Sequence, residues 1–348
     1  MNKLAIILPI ILAAVGANAL EISKVPEGKL CALSFTYDDG VVTHYSHALP
    51  MHLKYGFPGT FLIITDRVEK DGENRENKYC SWKELKEMSD KGMEVASHTK
   101  SHRNMREIES AGLTMEMTKG KKRDELFAMR EKNWPELLSE VTISRDEIEK
   151  HCGNKVRTYA FGGNACPDWS WRLMDEVKGC IRVGNIRIAT GRGDSEAKYR
   201  EQLEKKVMVS NAVSCVMFHG LGTKTKNDGW NPIPDLETYE SIFKLVKANE
   251  DKIHLDTFGN NSFYQTLAEN VVLKKKDADT FELTLKPKTR GTLVPGVVWL
   301  RVAANEKVSV NGKPATPNKY GAITANIGDT IKISSNLRGN SAADFGII

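Results

Sequence analysis

Between residue 29 and about residue 258, short apolar runs alternate with stretches in which charged residues separate aliphatics three or four positions apart. The runs KLCALSF, PGTFLII, MEVAS, VRTYAF, IRVGNIRIA, SCVMFH and KIHLDTF are nearly continuous in apolar character, the pattern of strands buried on both faces. Between them, SWKELKEMSDKG opens on Ser81 as a helix cap, sets Leu85 and Met88 at helical spacing and stops at Gly92. DLETYESIFKLVKANED repeats the scheme with Leu236, Ile242, Phe243 and Val246. Such alternation predicts a parallel sheet, and this many repeats predict a β/α barrel, complete or not. Catalytic groups in a barrel gather at the C-terminal ends of its strands.

After residue 270 the period becomes two. FELTL, GVVWLRV, KVSVNGKPA, GAITANI and DTIKISS are short alternating runs, and Asn311-Gly312 is a strong hairpin pair. The expected organisation is therefore an α/β catalytic domain over 20–270 and a small all-β accessory domain over 271–348. No low-complexity linker divides them, so they are expected to pack directly.

The first 19 residues stand apart. Lys3, the apolar run LAIILPIILAAVG and the small residues ANA have the form of a signal peptide with its cleavage site. The alternative, a buried N-terminal helix, is disfavoured by Pro9. The expectation is export, to the periplasm or the outside of the cell. No later stretch is long and apolar enough for membrane insertion. The net charge of +5 is spread along the chain, and KGKKR at 119–123 is expected to be a solvated face, with no nucleic-acid partner. Export makes disulfides possible among the six cysteines. Cys31 and Cys215 nevertheless lie inside apolar runs, where buried thiols are expected.

Chemistry enters with FTYDDG at 35–40. Asp38 and Asp39 directly follow a buried run, and an Asx turn would account for one aspartate but hardly for two. In SHTKSH, His98 and His102 are four apart, a spacing that on a helical turn aims both imidazoles at one metal ion. His98 follows the strand MEVAS and so shares the rim with the acids. Two histidines and one aspartate leave a fourth position open, as at a catalytic zinc. The other aspartate can then serve as general base. His219 ends a further strand and is the third strand end to converge on this chemistry. Among aromatics, Trp230 is best placed to stack on a sugar. Trp169 and Trp171 serve either the rim or the core. His44 and His47 lie near the acids, and nothing requires them as ligands. The charged insertion at about 104–145 is expected to form a helical flap beside the cleft.

These residues resemble the polysaccharide deacetylases of carbohydrate esterase family 4, metal-dependent hydrolases that remove acetyl groups from sugars. FTYDDG looks like that family's first motif, SHTKSH its second and MFHG its last, over roughly residues 29–268. The resemblance implies a distorted, incomplete β/α barrel. It implies Asp38 as general base, Asp39, His98 and His102 as ligands of one divalent ion, and His219 as general acid. Zinc suits those ligands, and cobalt or nickel fit them too. The third motif departs from the pattern: VRTYAFGGNA keeps Arg157 as a substrate-side residue but sets Gly162-Gly163 where the family carries proline-tyrosine. Gly163 is then the backbone donor to the oxyanion. The arginine that orients the base is either Arg182 or Arg187. The implied activity is hydrolysis of N- or O-acetyl groups on a polysaccharide or oligosaccharide. The alternatives are a carbohydrate-binding protein that has lost turnover and a hydrolase of another acyl bond. Nothing in the sequence sets the oligomeric state.

Overall fold

In the computed structural model, which describes residues 20–69, 78–182, 186–189, 195–222, 235–289, 291–304 and 306–335, the chain begins with β1 (Leu20–Ile22). β2 (Cys31–Tyr37) follows, every residue of it buried, then α1 (Leu49–Tyr55), β3 (Gly59–Ile63), α2 (Trp82–Asp90) and β4 (Glu94–Ser97). The segment 1–19 and Trp230 lie outside the described residues. Ser81 caps α2 as expected, its hydroxyl accepting from Glu84 N while the Glu84 carboxylate accepts from Ser81 N.

Four helices come next: α3 (Met105–Glu109), α4 (Met115–Thr118), α5 (Arg123–Arg130) and α6 (Trp134–Cys152). The expected flap is therefore only part of the insertion. α4 and α5 bury no residue, but α6 lays Leu137, Val141, Ser144, Ile148 and Cys152 against the sheet at helical spacing. The abundant charges of α6 hid that stripe.

The alternation then resumes with β5 (Thr158–Tyr159), α7 (Ser170–Val177), β6 (Cys180–Ile181), β7 (Ile186–Ala189), α8 (Glu196–Gln202), β8 (Val213–Phe218), α9 (Leu236–Lys247), β9 (Ile253–Leu255) and α10 (Phe258–Asn270). The strands are parallel in the order β6-β5-β4-β3-β2-β8-β7, and β9 pairs with the first half of β2. IRVGNIRIA is not one strand. It divides into the end of β6 and the whole of β7, which lie at opposite edges of the sheet. Chain length makes this a statement about shape. From Ile181 to Ile186 the backbone can reach no more than about 18 Å. The same edges of a flat sheet, six strand spacings apart, would stand about 29 Å from each other. The sheet is therefore curled into an incomplete barrel.

Alternation along β2 sorts its side chains between two sides. Leu33, Phe35 and Tyr37 join the large core, where Phe35 stacks on Phe243 of α9 at 4.4 Å and Tyr37 on Phe61 at 4.5 Å. Ala32 joins a smaller cluster with Phe258 of α10. The α9 face matches expectation except at Leu236, which is exposed in the first turn.

The C-terminal part is all-β: β10 (Val271–Lys275), β11 (Thr280–Leu285), β12 (Val298–Val302), β13 (Glu306–Val310), β14 (Lys313–Ala315), β15 (Ala322–Ala325) and β16 (Thr330–Ser335). One antiparallel sheet has the order β10-β11-β16-β13-β14 and the other β1-β12-β15. They enclose one core that includes Leu20, Leu283, Leu300, Ile323 and Ile331. Asn311 (φ +51°) and Gly312 (φ +78°) form the expected two-residue turn. Leu20–Ile22, assigned from sequence to the catalytic domain, pairs with Leu300–Val302 and belongs to the β module. Three residues are too few to show to which sheet they will add.

Candidate functional site

Six parallel strands deliver residues to one rim. Tyr37 is followed by Asp38 and Asp39, Ile63 by the turn Thr65–Arg67, Ser97 by His98, Tyr159 by the turn Gly162–Asn164, Ile181 by Arg182 and Phe218 by His219. Register holds these ends level, with Tyr37 opposite both Phe61 and Phe218, Ile63 opposite Ser97, and Tyr159 opposite Ser97 and Ile181.

Asp39, His98 and His102 form a cluster whose donor atoms all lie within 4.8 Å of one another. Asp39 Oδ1 is 3.6 Å from His98 Nε2 and 3.6 Å from His102 Nε2. Tetrahedral ligands at ordinary zinc–nitrogen and zinc–oxygen lengths stand about 3.4 Å apart, so the donor set fits a divalent ion with little adjustment. His98 Nδ1 lies 3.1 Å from Ala160 O. A carbonyl only accepts, so Nδ1 carries the hydrogen and Nε2 turns its lone pair toward Asp39. Burial holds the His98 pKa below its ordinary value, against the pull of Asp38 and Asp39. Burial, with the charges of His98 and Arg67, lowers that of His102 to about 4. Both imidazoles are thus neutral near pH 7, the form that binds metal.

The two histidines do not sit on a helical turn. Thr99 and His102 hold φ +65° and +62°, and Asp39 holds φ +80°. Such backbone costs about 1–3 kcal/mol per residue and persists only when the surroundings over-determine it. Here α6 does so. The Glu140 carboxylate accepts from Ser101 N at 2.9 Å and Ser101 Oγ at 2.6 Å, and Lys100 N donates to Glu140 O at 2.8 Å. Ser144 Oγ is 2.8 Å from Ser97 Oγ, which accepts from Thr99 N at 3.1 Å. Thr99 Oγ1 in turn accepts from His102 N at 3.0 Å. Glu140 and Ser144 were missed in the sequence. The available signal was two polar residues on the buried stripe of α6.

Asp38 faces other partners than Asp39 does. Arg182 Nη2 donates to Asp38 Oδ2 at 2.5 Å, and His98 Nε2 is 3.9 Å from the same oxygen. Asp38 Oδ1 is buried without a hydrogen-bond partner among the described residues. Burial pushes the carboxyl pKa up, but the charges of Arg182, His98 and His219 outweigh it and the net shift is downward. Of the two arginines left open from sequence, Arg182 makes this contact. Arg187 lies within β7, and its side chain is outside the described set.

The remaining candidates are placed as follows. His219 is half-buried at the end of β8, and His44 Nε2 lies 2.8 Å from its carbonyl. Gly162 packs on His102, since a Cβ there would stand 2.6 Å from His102 O. Gly163, at φ +60°, is exposed, as is Asn164 in the same turn. Arg157 does not reach the rim. It precedes β5, at the opposite end of the sheet, and its exposed guanidinium lies over Phe263. Trp169 is 2 % exposed and belongs to the core, whereas Trp171 is 55 % exposed. None of the six cysteines is in a disulfide, and Cys31 and Cys215 are buried.

The family model described as polysaccharide deacetylase matches residues 26–177. The chain is similar to a T48 deacetylase solved with substrate, at 18% identity and TM-score 0.40, covering 67% of this chain and 90% of that one. Peptidoglycan deacetylase PdaC from Bacillus subtilis gives 15% identity and TM-score 0.43, covering 70% and 96%. A family 4 acetyl xylan esterase from Clostridium thermocellum, in complex with a cobalt ion, gives 13% and 0.43, covering 66% and 89%. The comparison with curated proteins finds no match.

Proposed function

We propose that this chain, a polysaccharide deacetylase by family, is a metal-dependent hydrolase that removes N- or O-acetyl groups from a polysaccharide or oligosaccharide. The observation that supports the reading is the division of labour within the acid pair. Asp39 faces the two histidines and completes a three-donor set, while Asp38 faces Arg182 and keeps one buried oxygen without a partner. Both acids lie beyond the end of β2, Asp39 with φ +80°, so the pair is not held in strand geometry and each carboxylate takes its own nearest partner.

A divalent ion held by Asp39, His98 and His102 would supply Lewis acidity at the rim; zinc suits the donors best, with cobalt or nickel as substitutes. Asp38, ionised because Arg182 and the neighbouring histidines lower its pKa, takes the proton of the attacking water through Oδ1. Arg182 holds that carboxylate in place and hinders it from turning toward the metal donors. Gly163, in the turn Gly162–Asn164 that packs on His102, offers its backbone amide to the developing oxyanion. His219 then protonates the departing nitrogen or oxygen. The leader-like residues 1–19 support export, which would bring the enzyme to extracytoplasmic glycans.

The test is acetate release from N-acetylated chitooligosaccharides, peptidoglycan fragments and O-acetylated xylan, with and without a chelator. Release that stops with chelator and returns with zinc is expected. No release from any of them by the metal-loaded protein would favour a binding role on the same scaffold.

A further inference from the structure

The side chain of His219 reaches the rim from a segment whose main chain is held at two points by consecutive residues of another loop. His44 Nε2 lies 2.8 Å from His219 O, and Thr43 Oγ1 accepts from Leu221 N at 3.1 Å. The strand end just before is tied as well, since Asp38 N donates to Phe218 O at 2.9 Å. Thr43 and His44 are both buried, and His44 opens the π-helical turn His44–Ala48. Such turns are rare and frequently occur at functional sites.

The choice of histidine at position 44 needs a reason. Its ring stands against Tyr37 at 5.4 Å and Phe61 at 5.8 Å, surroundings that a phenylalanine would also suit. Because a carbonyl only accepts, Nε2 must carry the ring's hydrogen, which leaves Nδ1 with a lone pair. Nδ1 is buried without a partner among the described residues. An unsatisfied buried acceptor is a net cost that an apolar ring would avoid. What the imidazole provides and phenylalanine cannot is the donor to His219 O. Burial lowers its pKa to about 4, so it remains neutral and keeps the tautomer that the carbonyl selects.

We propose that His44, with Thr43, is a positioning clamp that sets the main chain of His219 so that its imidazole meets the leaving group opposite Asp38. The proposal rests on reading His219 as the general acid. Among the described residues no hydrogen bond or ion pair joins His44 to Asp39, His98 or His102, and it acts through the peptide group of His219. A misplacement of the acid by about 1 Å is enough to cost up to about 100-fold in rate.

The experiment compares kcat on penta-N-acetylchitopentaose, whose amine leaves poorly, with kcat on 4-nitrophenyl acetate, whose phenolate leaves without help. Bound zinc and Tm are measured on each variant. His44→Phe is expected to keep its zinc, lose about tenfold or more in kcat on the amide with KM nearly unchanged, and lose little on the ester. His44→Gln, whose Nε2 can still donate to the carbonyl, is expected to recover most of the amide rate. His44→Asn, too short to reach, is not. Equal losses on both substrates with zinc intact, or an unimpaired amide rate, would overturn the clamp. If the phenylalanine variant does not fold, the Gln and Asn pair decides by the same criterion, and equal amide rates in the two overturn it. His219→Gln separates the premise from the inference. A selective amide loss there with none in the His44 variants sinks only the clamp, whereas an equal loss on both substrates sinks the acid role and the clamp together.

Discussion

Arg182 and Asp38 are 144 residues apart in sequence, yet Nη2 of the one stands 2.5 Å from Oδ2 of the other, with side chains 1% and 6% exposed. β6 lies at one edge of the sheet and β2 near its middle, so only the curl of the sheet brings these two strand ends together. Removing one partner of a buried ion pair leaves an uncompensated charge. Arg182→Met is therefore expected to lower unfolding stability by about 3–5 kcal/mol and to abolish most turnover. Adding Asp38→Asn should restore a good part of the stability but none of the activity. Urea unfolding of both single variants and the double variant measures this; strictly additive losses would show that the two groups do not interact.

Gly162 tests the floor of the metal cluster. Its Cβ would meet backbone atoms, 2.6 Å from His102 O and 3.2 Å from His102 C. Gly162→Ala is expected to displace His102 and weaken zinc binding by about 10–100-fold, as changes in the shell around a metal do. Gly163→Ala serves as the control. Nothing lies within 4 Å of its Cβ, and it meets only the cost of φ +60°, roughly 1–2 kcal/mol of stability. Competition with a chromophoric chelator reads both affinities.

Removal of a ligand should act on metal and turnover together. His98→Ala is expected to lose its zinc at micromolar concentration and its acetate release with it, because Asp39 and His102 alone cannot complete the three-donor set. Asp38→Asn should keep its zinc and lose turnover. Full metal occupancy in the His98 variant, measured by elemental analysis, would remove the assignment.

A pH dependence of stability is expected from His52, away from the metal cluster. Its Nδ1 donates to Phe57 O at 2.9 Å and its Nε2 accepts from the Tyr37 hydroxyl at 2.7 Å, and burial lowers its pKa to about 4. In the unfolded chain a histidine titrates near 6.5. As the pH falls from there toward 4, the unfolded state takes up a proton that the native state refuses, so stability falls. Between pH 7.5 and pH 5 this group is expected to account for a loss of about 2 kcal/mol. His52→Phe should be less stable at neutral pH but show a correspondingly smaller decline. An identical pH slope in urea unfolding would assign the acid sensitivity elsewhere.

The β module is expected to be needed for a stable catalytic domain. Ending the chain at Asn270 removes β12, the partner of β1, and leaves Leu20 and Leu267 uncovered, at roughly 1.5–3 kcal/mol for each aliphatic exposed. It also removes Arg301, whose Nη2 donates to Gly28 O and Lys29 O immediately before β2. A lower Tm or insoluble protein is the expected outcome. A truncated protein with unchanged Tm and full activity would show the two parts to be energetically independent.

The sequence by itself determined the parallel strands, the helices α2 and α9, the β character of the C-terminal part and the strand-end places of Asp38, Asp39, His98 and His219. Each rests on period, caps or turn residues, which act over a few positions and are therefore written locally. The tertiary structure decided what depends on register and curl: that Arg182 meets Asp38, that Arg157 faces away, that Trp169 is core, and that β1 pairs with β12. It also decided that Glu140 and Ser144 of α6 hold the loop bearing His98 and His102 in left-handed backbone. These contacts join residues tens to hundreds of positions apart, and no local pattern encodes which side of a curled sheet a distant side chain will reach. A polar residue on a buried stripe announces that a partner exists, but only the packed chain says which one.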